Sequence, residues 1–138
     1  MATITYTAAD VDAAPNATVV RGKLGEAATT GDALYLNSDG RFYKADSAAA
    51  ATAKARGILV GGQQGTSYPA GMDVDVCVYG RVLGYSGMTP GGSVFVTSAG
   101  ALDQTAPAAV GTFTWELGWA FSPTVVFVAP QNNEPTAN

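Results

Sequence analysis

A small single-domain all-β fold, a barrel or sandwich built from two similar hairpin units, follows from three features of the 138-residue sequence. Short apolar runs follow one another at close spacing with Gly, Pro, Ser or Asp between them, the pattern of short strands joined by tight turns. No βα alternation is present. One hairpin is also spelled twice: Thr29 to Ala45 reads TTGDALYLNSDGRFYKA, and Thr89 to Thr105 reads TPGGSVFVTSAGALDQT.

Along the chain, residues 1–18 read as a flexible N-terminal arm. TITYT alternates enough to form a strand if offered a partner, and the DVDAAPNAT behind it is rich in breakers. Residues 19–130 form the β domain. Its candidate strands are VVRGKL, ALYLN, RFYKA, GILVG, DVDVCVYG, RVLGY, SVFVTS, ALDQ, FTWELGWAF and TVVFVA. In DVDVCVY, Val74, Val76 and Val78 share one face and Asp73, Asp75, Cys77 and Tyr79 the other, which predicts a half-buried strand. Val125 to Val128 is apolar on both faces between Pro123 and Pro130, which predicts a strand buried on both sides. The one helix candidate is Asp46 to Arg56, an Ala run that Gly57 would end, with a plain loop as the alternative. Residues 131–138, a polar stretch, read as a disordered tail.

The doubled hairpin keeps apolar residues at matching positions and a turn Gly at Gly40 and Gly100, where a left-handed conformation is needed. The similarity extends to both flanks. Gly22-Lys23-Leu24-Gly25 resembles Arg81-Val82-Leu83-Gly84, and Ala55-Arg56-Gly57-Ile58-Leu59 resembles Glu116-Leu117-Gly118-Trp119-Ala120. Two units, about residues 22–60 and 81–121, would each bury the apolar face that the other leaves open.

Composition narrows the function. The chain is 13% charged, about half the usual fraction for a soluble domain, so Ala, Gly, Ser and Thr cover much of its surface, as suits a protein that lies against other protein. With 7 Lys and Arg, a net charge of −4 and no basic run, direct nucleic-acid binding is not expected. The N-terminus has neither a basic leader nor a continuous apolar stretch, and no window approaches the ~20 apolar residues of a spanning helix. Synthesis in the cytosol, without membrane association, is the expectation. The single Cys77 reads as a small buried hydrophobe.

Without histidine, Ser-His-Asp and Cys-His arrangements and most zinc sites are excluded. The remaining pairs, Asp73 with Asp75 and Asp10 with Asp12, read as solvated charges that limit edge-to-edge sticking. No catalytic residue, metal site or cofactor is expected. Trp115 and Trp119 lie four apart in a strand-like segment, on one face. Core packing is the default for that face, and a carbohydrate-stacking or base-stacking platform is the alternative.

The order GDALYLNSDGRFYKA, ARGILVGG, a Gly-Arg-Val-Leu-Gly turn, MTPGGSVFVTSAGAL and LGWAFSPTVVFVAP resembles the head decoration, or capsid cement, proteins of tailed bacteriophages from about Leu24 to Pro130. The resemblance implies a non-enzymatic virion protein on the outer surface of the mature capsid, present in the host cytoplasm during assembly. Its partner would be the major capsid protein, on which it would sit as a homotrimer. It leaves open whether the fold is the β-tulip of some members. It also implies that an N-terminal arm adds a strand to the capsid subunit, a role matched here by Thr3, Ile4, Thr5, Tyr6 and Thr7. A tail or fibre component would share the composition, and a carbohydrate-binding β module remains the reading outside the virion.

Overall fold

The structure, a computed structural model, describes residues 4–62 and 65–138. The elements begin with β1 (Thr5–Tyr6), a 3-10 turn (Ala8–Asp10), β2 (Asp12–Ala13), β3 (Thr18–Lys23) and β4 (Ala28–Thr29). The first hairpin unit follows as β5 (Ala33–Leu36), β6 (Phe42–Lys44), α1 (Ala50–Ala53) and β7 (Gly57–Gly62). Then come β8 (Ser67–Tyr68), β9 (Asp73–Leu83) and β10 (Tyr85–Ser86). The second unit is β11 (Ser93–Val96), β12 (Leu102–Asp103), β13 (Phe113–Thr114) and β14 (Glu116–Ser122), and the chain ends with β15 (Val125–Val128) and β16 (Thr136–Ala137).

The all-β expectation holds. The main sheet runs β12-β11-β14-β15-β9-β7-β5-β6 and curls into an antiparallel half-barrel, with β2 and β3 also paired to β9. DVDVCVYG and RVL are one continuous strand, and β9 joins the two units: β7 pairs with its first half and β15 with its second. The predicted helix shrinks to the four residues of α1. Ala45, Ala53 and Ala55 are fully buried, so the Ala-rich stretch serves as thin packing material.

The two units repeat each other's pairing. In the hairpins, Leu36 faces Phe42 and Val96 faces Leu102. On the other side of the lead strands, Leu34 faces Gly57 and Val94 faces Gly118. The register shift within the β7–β9 pairing, between Leu59 and Gly61, recurs within the β14–β15 pairing, between Ala120 and Ser122. Gly40 and Gly100 take the expected left-handed conformation, with φ of 83° and 76°. Their surroundings differ. Gly100 is docked against the first unit, donating its N–H to Ala45 O and accepting from Ala33 N, whereas a side chain at Gly40 would meet open space.

β9 is half-buried as predicted over its first residues, with Val74 and Val76 buried and Asp73 exposed, but the alternation breaks at Cys77, which is buried where an exposed position was expected. Val74 and Val76 face one core cluster with Leu24, Leu34 and Leu59, and Cys77 and Val82 face a larger one with Ile58, Trp115 and Leu117. The Cys77 thiol is fully buried, and burial raises its pKa, so it is the apolar filler the sequence suggests. β15 departs in the opposite sense. Val126 and Val128 are buried, but Val125 and Phe127 are only half-buried, so one face is open.

Both ends of the described chain pack on the domain. Ile4, Val11 and Ala14 are buried, and Asp12–Ala13 pairs with Val82–Leu83. In this structure residues 4–18 are therefore part of the β domain, because the alternation in ITYT finds its partner within the same chain. At the other end, Thr136–Ala137 pairs with Phe113–Thr114, and the Asn138 amide donates to Pro107 O at 2.9 Å. The stretch 131–138 thus makes defined contacts where the sequence suggests none.

Candidate functional site

Two features stand out: the docked N-terminal strand and an open aromatic face. Of the proposed anchor residues, Thr3 lies outside the described residues. Ile4 is in the larger core cluster, and Thr5 and Tyr6 form β1 against Ser86 and Tyr85 of β10. Thr7 leads into the 3-10 turn. The pairing is only two residues long, and both β1 residues are exposed. Side chains strengthen it. The Thr5 and Ser86 hydroxyls lie 2.8 Å apart, and the Tyr6 ring tilts on the Tyr85 ring at 5.2 Å.

The Tyr6 hydroxyl donates to Asp32 Oδ1 at 3.2 Å, and Thr29 N–H donates to Oδ2 at 2.9 Å. The ring lies over Gly31, where a Cβ would collide with it; φ there is +99°, so glycine answers both demands. Burial raises the Asp32 pKa, against the lowering effect of the Thr29 and Tyr6 bonds. Burial, the Asp32 charge and the bond to it push Tyr6 up to about 12. For a tyrosine raised above its usual value of about 10, the stabilisation is complete below pH 10 and is lost as pH rises through 12. In a tyrosinate absorbance titration, Tyr6→Phe is expected to remove one late-ionising phenol. If the phenol lost were instead one that ionises near the ordinary tyrosine value of about 10, Asp32 would not hold this hydroxyl.

The aromatic face covers the outer side of β14, β15 and the second half of β9. Trp119, Phe127 and Arg81 lie directly opposite one another across the three strands. Trp119 and Phe127 are stacked at 4.9 Å and 15°. Tyr79 meets Phe127 edge-on at 5.3 Å, and Phe121 tilts against Trp119 at 6.0 Å. The Arg81 guanidinium lies over the Phe121 ring at 5.3 Å. Tyr79 is 56% exposed, Phe121 48% and Trp119 37%, a concentration of apolar surface unusual on a lone sheet face. At one end, Pro15, Asn16, Ala17, Tyr79, Arg81 and Phe127 line a cleft of about 210 Å³.

The two tryptophans, expected on one face, are on opposite faces. The register of β11 against β14 slips between Val94 and Phe95, which leaves Leu117 as an extra residue. A bulge of this kind reverses the alternation, so Trp115 and Leu117 point inward, as do Gly118 and Ala120, while Trp119 points out. Sequence reading identified Trp119 as a candidate but missed Phe127, Phe121 and Arg81. Their alternation with buried Val126, Val128, Ala120 and Val82 was the available signal.

Asp75 and Asp73 lie opposite Arg21 and Lys23 and pair with them at 3.3 and 3.4 Å on an exposed strand, where such pairs add little stability. Among the described residues no group of three or more Asp, Glu or Cys side chains could hold a metal ion, and no helix is long and apolar enough to cross a membrane. No protein-family model and no curated protein matches this sequence.

Proposed function

We propose that the protein is a non-enzymatic structural component of a phage virion: a decoration protein that docks on the outer surface of the mature head and clamps neighbouring copies of the major capsid protein. Residue patterns resembling head decoration proteins support this reading, as does an architecture of two hairpin units around a shared strand. The observation that carries it is β1. A strand exposed at both residues, held by a two-residue pairing and followed by the breaker-rich stretch Ala14 to Ala17, is easily exchanged for a neighbour's sheet edge. A clamp of this kind stabilises the shell by binding the assembled form better than its precursor. Grouping as a trimer lets several modest contacts act together.

The experiment is co-sedimentation of the purified chain with mature shells stripped of it and with unexpanded precursor shells. Saturable binding to mature shells alone is expected. Removal of residues 1–18 would strip Val11, Ala14 and β2 from the fold as well as Ile4, so the informative truncation ends at Thr7 and gives up Ile4 alone of these buried side chains. That variant is expected to keep its β circular dichroism and to lose most of its affinity for the shell. Full affinity without residues 1–7 would remove the strand from the mechanism, and binding to neither shell would overturn the decoration reading itself.

A further inference from the structure

We propose that the aromatic face of β9, β14 and β15 is a binding site for a carboxylate-bearing oligosaccharide. One side of the Trp119 indole is stacked by Phe127; on the other strand beside it, the residue opposite is Ser93, too short to cover an indole. An uncovered aromatic ring face is the surface on which the C–H side of a sugar ring packs, with an apolar body beside polar edges.

Arg81 supplies the polar partner. Its side chain is exposed, and it belongs to none of the three ion pairs found among the described residues, Arg21–Asp75, Lys23–Asp73 and Lys54–Glu134. The guanidinium lies over the Phe121 ring at 5.3 Å, and its N–H fork can take a carboxylate through two parallel bonds. The backbones of Trp119 and Arg81 are two strand spacings apart, about 9.6 Å, and the Arg81 guanidinium reaches over Phe121, whose ring lies beside Trp119, so sugar and carboxylate contacts adjoin on one face. The adjoining cleft, about 210 Å³, is smaller than the ~300 Å³ at which sites for whole drug-sized ligands begin. It suits a single unit of a chain that continues over the open face. A concave end next to an unpaired cation favours this ligand over a flat protein surface.

The test is a titration of the full chain with tetragalacturonate and with its methyl ester, read by tryptophan fluorescence and by calorimetry. Trp115 is buried and Trp119 is not, so saturable quenching that disappears in Trp119→Phe reports the site. Tetragalacturonate is expected to bind more tightly than its ester. Arg81→Gln should remove about tenfold or more of its affinity, the effect of one charge-assisted contact, and bring acid and ester together. Trp119→Ala should weaken both. Equal binding of acid and ester, or no saturable binding of galacturonate, glucuronate-containing or sialylated oligosaccharides at millimolar concentration, overturns the proposal. So does self-association that Trp119→Ala abolishes, which would assign the face to a second copy. None of these outcomes bears on shell binding, which sedimentation measures separately.

Discussion

Replacing Trp115 with Ala is expected to destabilise the protein by about 3–5 kcal/mol, the range for emptying a large aromatic site in a packed core. The indole is 1% exposed, and its Nε1 donates to Ala55 O at 3.0 Å. The Arg56 guanidinium lies 5.9 Å from the ring centre. Trp115 belongs to the second hairpin unit and Ala55 and Arg56 to the first, so one side chain fastens the two halves. Val96 N–H donates to Trp115 O as well, which ties the residue to the lead strand of its own unit. A domain of this size has about 5–15 kcal/mol in total, and the substitution removes a large share of it. Trp115→Phe keeps most of the bulk but leaves the buried Ala55 carbonyl without its donor, at a cost of about 1–3 kcal/mol. Denaturant midpoints for the two variants beside Trp119→Ala provide the check. Trp119 is part of the open face, and its loss should cost least of the three. If Trp119→Ala proved as damaging as Trp115→Ala, the bulge would not divide the two residues between core and surface.

That division shows where sequence reading succeeds and where it stops. The hairpins around Gly40 and Gly100 were legible because their determinants are local: alternating apolar residues on either side of a glycine forced to positive φ. The faces of β14 were not legible, because the Leu117 bulge is set by pairing with β11, some twenty residues away. β15 was read as doubly buried because Val125, Val126, Phe127 and Val128 are all apolar, and composition alone does not say that one sheet face lacks a cover. Tyr6 and Asp32 are 26 residues apart, so no local pattern announces that the N-terminal strand has a partner in its own chain. On the aromatic face the sequence singled out Trp119 alone. Phe127 and Arg81 become its neighbours only through the β14-β15-β9 order.

Gly57→Ala and Gly118→Ala are each expected to cost about 1–3 kcal/mol, through overpacking rather than through backbone conformation. These glycines occupy matching places in the two units, opposite Leu34 and Val94. At Gly57 an added methyl would collide with the Cys77 carbonyl oxygen of β9, and at Gly118 with the Phe127 carbonyl oxygen of β15. The obstruction is main chain held in a sheet, so it cannot be relieved by turning a side chain. Neither glycine has a positive φ, which separates this cause from that at Gly40. There the space is open and φ is +83°, so Gly40→Ala should cost about 1–2 kcal/mol from the left-handed conformation alone. Gly61 has neither constraint, with open space and no positive φ; Gly61→Ala should be neutral or stabilise by up to about 1 kcal/mol, by reducing the freedom of the unfolded chain. Midpoints of chemical denaturation for the four variants test this ordering. Losses at Gly57 and Gly118 no greater than at Gly61 would mean that the strands separate readily at both places. The close approach would then not be what demands a glycine at the same point of each copy.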